Sequence, residues 1–321
     1  MASPQRPELD TDRLELDALA LTTRLPALLV EASRVALTVA QGVHGRRRVG
    51  PGETFWQFRN FDVGDSSVLI DWRRSANSSH LYVREREWEA AHTVWLWPDL
   101  SPSMNFRSHL APQTKAERAV VLALALGGLM AQAGERTALA NVMSPTSSRR
   151  AIQKIAENLA RSHERFETLP DNLRLPRHSE IVLFSDFLDD IADIEQRIGT
   201  IANQGVRGHL VHLMDPAEET LPYSGRVRFT AMEGGQIYTA ERAETLRRAY
   251  LDRVETHKQA LAQSARKLGW SYFIHHTDRP PAEILLTVNT YLSGLDKGYR
   301  AGGGALTSAV TRSNKGGTSL Q

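Results

Sequence analysis

Asp99, Ser101 and Ser103, in the stretch "PDLSPS" directly after the apolar run "HTVWLW", place one carboxylate and two hydroxyls at alternate positions. Small hard oxygens grouped this closely suit a divalent cation such as Mg2+, which keeps part of its water shell and needs few protein ligands. The same residue types also form ordinary Asp/Ser/Pro turns and helix caps, so the pattern by itself leaves both readings open. Two further carboxylates, Asp186 after "EIVLFS" and Asp215 after "HLVHLM", also follow apolar runs directly. In open parallel sheets ligands bind outside the carboxyl ends of the strands, so at least two of these three carboxylates are expected to converge at one edge with the hydroxyls. His275 and His276 close another apolar run, but neighbouring strand residues point to opposite faces and are not expected to share an ion.

The elements that must position these residues follow from periodicity. Residues 13–41 carry Leu14, Leu21, Leu25, Leu28, Leu29, Ala32 and Val35 along one side of a helix, with Pro26 as a candidate kink. Between 46 and 91 the chain changes to short β-like pieces, "ETFWQFRNF" and "HLYVRERE", separated by turn residues. From 92 onward strands and helices alternate. The strands are "HTVWLWP", "RTALANVM", "EIVLFS", "GHLVHLM" and "WSYFIHH". The helices run from a Thr114/Glu117 capping box to about Gly134, then over 147–162, 189–203, 241–268 and 280–292, with a Gly-Gly hairpin signal near 234. This alternation predicts an α/β fold with a mostly parallel, Rossmann-like sheet and helices on both faces, preceded by an N-terminal helix and a small β-rich subdomain. The expected organisation is a flexible N-terminus over 1–12, the helix and β-rich piece over 13–91, the α/β domain over 92–296, and a disordered Gly/Ser/Thr-rich tail over 297–321.

Composition narrows the function classes. Hydrophobic residues at 41% and charged residues at 24% are globular values and argue against a disordered chain. No cysteine is present, which removes disulfides, thiolate metal sites and cysteine nucleophiles. A net charge of +2 is too small to point to nucleic acid, and the run "GRRRVG" reads as a solvated loop. The stretch Ala119–Met130 is too short to span a bilayer and reads as a buried helix, and the N-terminus lacks a signal layout, so the expected location is the cytoplasm with no membrane span. The chain holds no G-x-x-x-x-G-K-[ST] loop, no HExxH and no G-x-S-x-G elbow. These absences argue against the corresponding enzyme classes, and a non-catalytic role is the leading expectation. The enzymatic alternative is a Mg2+-dependent phosphohydrolase using Asp99 as nucleophile, against which Ser101 stands where a second carboxylate would be needed.

The pattern Asp99-Leu100-Ser101-Pro102-Ser103 resembles the DxSxS signature of a von Willebrand factor type A domain, and Ser185-Asp186 resembles the later strand-end Asp of that fold. The segment "GETFWQFRNFDVGDSSVLIDWRRSAN", together with "VLFSDFLDD", "HLMDPAEETLP" and "HTDRPPAEILL", is similar to the bacterial DUF58 family, so the resemblance covers roughly 42–292. It implies a metal-ion-dependent adhesion site for Mg2+ or Mn2+, whose open position takes an acidic side chain of a partner. Ser101 and Ser103 would be direct ligands, Asp99 direct or through water, and Asp186 through water. Thr146 in "MSPTSSRR", with Ser147 as alternative, is the candidate for the threonine that completes such sites. Pro98 departs from the pattern by removing a backbone donor just before the turn. The resemblance further implies a separate MoxR-type AAA+ ATPase as partner and a role in assembling or maturing other proteins. A structural domain with a vestigial metal loop remains the third reading. In the Gly64-Asp65 and Asp71-Trp72 segment, the simpler expectation is a turn plus a buried Trp72, with Asp71 bonded to nearby backbone donors or an Arg; the alternative is a docking surface for a partner.

Overall fold

The computed structural model describes residues 11–43, 55–62, 70–76, 78, 80–86, 92–162, 166, 169–232 and 236–293. Along the chain lie α1 (Thr11–Val43), β1 (Phe55–Asn60), α2 (Trp72–Ser75), β2 (Tyr82–Arg86), β3 (Thr93–Pro98), α3 (Lys115–Gln132), β4 (Arg136–Leu139), α4 (Ala151–Ser162), β5 (Glu180–Ser185), α5 (Ile191–Ala202), β6 (Arg207–Met214), α6 (Pro216–Thr220), β7 (Val227–Thr230), β8 (Ile237–Ala240), α7 (Ala243–Lys267), β9 (Ser271–His276) and α8 (Pro281–Leu292).

Five strands form one parallel sheet in the order β4-β3-β5-β6-β9. Their unbroken apolar runs explain the arrangement, since a parallel strand covered on both faces has no polar side to alternate with. All six residues of β5 are buried, so helices and connections cover both faces there. Val94 and Leu96 lie on one face of β3. Trp97 lies on the other, its ring centroid 4.8 Å from that of Phe166 in the connection before β5.

Helix α3 is buried from Lys115 to Ala131 because the sheet lies on one side and α1, α4 and α8 lie on the others. That surround explains a helix apolar on every side. Close approach is achieved through its glycines: a Cβ at Gly127 would stand 3.3 Å from Leu96 and collide with Ile155 of α4, and one at Gly128 would collide with Ile152. The capping box forms as expected, Thr114 Oγ1 accepting from Glu117 N at 3.1 Å and Glu117 Oε2 from Thr114 N at 3.0 Å.

Helix α1 runs through Pro26 and buries Leu25, Leu28, Ala32, Val35, Ala36 and Val39 against α3 and α4. It is thus part of the α/β core rather than a companion of the β-rich piece with which the sequence groups it. That piece is the antiparallel pair β1-β2 with the short α2. Asp71 caps α2 by accepting from Arg74 N at 3.1 Å. Trp72, expected to be buried, is instead 63% exposed at the start of the four-residue helix α2. Gly64 and Asp65 lie outside the described residues. The hairpin β7-β8 appears where the Gly-Gly pair signalled one. Helix α4 begins at Ala151 rather than 147, because Ser148 and Arg150 are held in turns by the Thr146 and Ser148 hydroxyls. Among the described residues no helix is long and apolar enough to cross a membrane.

Candidate functional site

The strand order places β3 between the next strand in sequence, β4, which forms the sheet edge, and β5. Crossovers that leave in opposite directions open a crevice between two neighbouring carboxyl ends, the usual ligand position in such sheets. Asp99 follows β3 and Asp186 follows β5, so the two expected carboxylates stand at this switch point.

The "DLSPS" turn is fixed by its own bonds. Pro98 does not disturb the strand end, because the ladder continues one residue later with Asp99 N donating to Phe184 O at 2.8 Å. Asp99 Oδ1 accepts from Ser101 N at 2.9 Å, and Oδ2 accepts from Ser185 Oγ at 2.5 Å. Leu100 N donates to Phe166 O at 2.6 Å, and Met104 N donates back to Ser101 O at 3.0 Å. These constraints bring the Ser101 and Ser103 hydroxyls within 3.1 Å of one another. Asp99 and Ser101 are buried, while Ser103 reaches the rim. Burial, then the nearby charge of Asp186, pushes the Asp99 carboxyl from 3.8 up to about 7, against the hydrogen bonds from Ser185 and Ser101. Asp99 is therefore a carboxylate short of compensating positive charge.

Asp186 has found such a charge. Lys115, fully buried at the start of α3, donates from Nζ to Asp186 Oδ2 at 2.8 Å and to Glu218 Oε1 at 2.5 Å. Burial works to lower the Lys115 pKa, but Asp186 and then Glu218 outweigh it and hold the ammonium above its ordinary value. Glu218 is itself held as the capping partner of α6, with Oε2 accepting from Asp215 N at 2.8 Å. Asp215, the third strand-end carboxylate, accepts from Ala217 N and from Ser108 N, each at 2.8 Å. It caps α6 and ties down the segment between the turn and α3, so both its oxygens are engaged in architecture.

Lys115 and Glu218 were not anticipated. One signal was available for the lysine: a cation in the first turn of a helix opposes the macrodipole, and needs a reason to be there. The Asp-Pro-Ala-Glu spacing likewise signals the cap that fixes Glu218.

Thr146 is not at this site. It forms an isolated bridge with Thr137, N to O at 2.9 Å in both directions, and Thr137 is paired with Val94. Asp99 lies five residues beyond Val94, about 16 Å along the strand at 3.3 Å per residue. The Thr146 hydroxyl accepts from Ser148 N at 3.2 Å, and the alternative Ser147 belongs to the same distant turn. The residue that does lie against the "DLSPS" turn is Phe166, whose carbonyl accepts from Leu100 N. Among the described residues no group of three or more His, Asp or Glu is arranged to hold a metal. Any cation at the switch point would depend on the serine hydroxyls.

Beside Asp186 opens a cleft of about 620 Å3 between the ends of β5 and β6 and helices α5 and α7, lined among others by Leu188, Ile191, Tyr250 and His257. Between the lining residues Asp186 and Leu188, the buried Phe187 takes a left-handed conformation (φ 47°), strained for a bulky residue. Ser185 Oγ holds it by accepting from Phe187 N at 3.0 Å, and His257 Nε2 donates to its carbonyl at 2.6 Å. Ser185 thus links Phe187 to Asp99. Burial lowers the His212 pKa to about 3, leaving an uncharged imidazole on the cleft wall, 2.7 Å from Tyr272 Oη. At the end of β9, His275 is buried while His276 pairs with Glu219 at 2.6 Å.

The family model "Protein of unknown function DUF58" matches residues 57–260. The chain belongs to the DUF58 family. Uncharacterized proteins of Mycobacterium tuberculosis and Mycobacterium bovis are 24% identical to this DUF58 protein over 311 residues, covering 90% of it and 94% of their own length. Among solved structures, the conserved hypothetical protein BatB of Bacteroides thetaiotaomicron (TM-score 0.37, 13% identity) covers 64% of this chain and 100% of its own. An aerotolerance-related membrane protein of Bacteroides fragilis (TM-score 0.36, 14% identity) covers the same shares.

Proposed function

We propose that this DUF58 protein is a non-catalytic interaction module of the von Willebrand factor A type. In this reading Asp99, Ser101 and Ser103 hold Mg2+ or Mn2+ at the switch point, with Asp186 acting through water. The bound ion would supply a Lewis-acidic position able to take a carboxylate from a partner protein. The observation that carries the reading is the convergence of a buried carboxylate and two adjacent hydroxyls with a second carboxylate at one sheet edge. The donor chemistry fits in kind, since all four groups offer hard oxygens and the crowded Asp99 would gain from an added cation. The expected partner is a MoxR-type AAA+ ATPase on a separate chain, serving assembly or maturation of other proteins in the cytoplasm.

A second reading has an observation of its own. Lys115 already neutralises Asp186, and Thr146 lies far away, as suits a turn kept for architecture. Retention of a purified MoxR-type ATPase on the immobilised chain separates the two, with Mg2+ or EDTA and with wild type or Asp99→Ala. Retention only on wild type with Mg2+ supports the adhesion site; retention indifferent to both chelator and substitution sinks it.

A further inference from the structure

Lys115 is an expensive residue where it stands. Its side chain is fully buried, its position in the first turn of α3 opposes the helix dipole, and lysine is rarely enclosed unless firmly paired. Its ammonium has two seats. One is Asp186 Oδ2 at 2.8 Å, on the carboxylate that the metal reading assigns to the ion's water shell. The other is Glu218 Oε1 at 2.5 Å, on a side chain 21% exposed whose second oxygen is anchored by Asp215 N. The side chain is enclosed, and its ammonium also lies 5.7 Å from the Phe106 ring centroid. An ammonium and a divalent cation cannot both sit against one buried carboxylate without strong repulsion.

Resting on the metal reading above, we infer that Lys115 is a built-in counter-ion that competes with the divalent cation for Asp186, and that Glu218 is the seat to which its ammonium withdraws when the cation takes Asp186. Metal occupancy is then set by an internal exchange of cations, and the module keeps an assembled site whether or not the metal is present. The reason lies in the two anchors: Glu218 is fixed through its cap on α6 and Asp186 through β5, so only the ammonium has a choice of position.

Calorimetric titration of the full chain with Mg2+ and Mn2+ tests the exchange, comparing wild type with Lys115→Gln and Glu218→Gln. Removing the competitor should tighten binding about tenfold, within the usual range of coupling between two ligands. Glu218→Gln retains an oxygen for the Asp215 cap but removes the withdrawal seat, so it should weaken binding. Fixed charges acting independently would also move the two variants in opposite directions but would bring Lys115→Gln/Glu218→Gln back to about wild-type affinity. Exchange leaves the double variant as tight as Lys115→Gln, because Glu218 matters only while Lys115 is present. Should Lys115→Gln fail to melt cooperatively, the double variant Lys115→Gln/Glu218→Gln removes one charge of each sign and should bind more tightly than wild type. Binding by folded Lys115→Gln no tighter than wild type, or tightening in Glu218→Gln, overturns the inference. The outcomes separate from those of the adhesion reading. Tightening in Lys115→Gln while wild type captures no partner would refute that reading alone. Mg2+-dependent capture with unchanged affinity in Lys115→Gln would refute this one alone.

Discussion

Asp99→Asn gives the sharpest view of the switch-point electrostatics. The Asp99 carboxyl titrates at about 7 in the folded chain against 3.8 as the ordinary value. A group whose folded pKa is raised binds its proton more tightly in the fold than in the unfolded chain. The stability it contributes is fully present below pH 3.8 and is lost as pH rises through about 7. Three units at 1.36 kcal/mol each amount to about 4 kcal/mol of penalty for ionising Asp99 in the metal-free protein. Asparagine cannot ionise, and it keeps an oxygen for Ser101 N. The stability of Asp99→Asn minus that of wild type should therefore rise by about 4 kcal/mol between pH 4 and pH 8. Other titrating groups change both proteins alike and cancel in the difference. Urea unfolding in EDTA at several pH values measures it. Saturating Mg2+ at pH 8 should recover most of the lost stability in wild type and none in the variant. A difference that stays flat across this range would refute the picture of a buried carboxylate short of positive charge.

Three other outcomes follow from the packing. Burial holds His275 at about 3, so its contribution is present above the unfolded value of 6.5 and is lost as pH falls from there toward 3; His275→Gln should flatten the acid limb of the stability profile by about 1.4 kcal/mol per pH unit. Thr146→Val should leave the Mg2+ response unchanged and cost about 1 kcal/mol or less, read by thermal melting with and without the ion, because its hydroxyl holds the turn before α4. Gly127→Val should lower stability by about 3 kcal/mol or prevent folding, since the added carbons would collide with Ile155 and press on Leu96; circular dichroism melting measures the loss.

The sheet was readable because its signals are local. An apolar run without alternation specifies a doubly covered strand whatever lies beside it, and "EIVLFS" is β5 residue for residue. The capping box at Thr114 and Glu117 and the hydrogen bonds of the "DLSPS" turn likewise join residues a few positions apart. Trp72 and α1 were misplaced for the same reason in reverse: an apolar residue or stripe announces that it can be buried, while the layer that covers it, or fails to, is supplied by another part of the chain.

The chemistry at the switch point belongs to the tertiary structure. Asp99 meets Ser185 across 86 residues, and Lys115 meets Asp186 across 71 and Glu218 across 103. Nothing in the spacing of Lys115 distinguishes it from a surface lysine at a helix start. It is enclosed with Phe106 from the segment before α3 beside it, and its charge is retained because two carboxylates, Asp186 after β5 and Glu218 in α6, arrive there. The sequence by itself determined which oxygens stand at the strand ends, through short-range turn and strand propensities. Only the packing of distant elements decided that one of those carboxylates holds an ammonium, that Asp215 is tied into a cap, and that Thr146 lies about 16 Å along the sheet from the site, because pairing register and burial are properties of the assembled sheet.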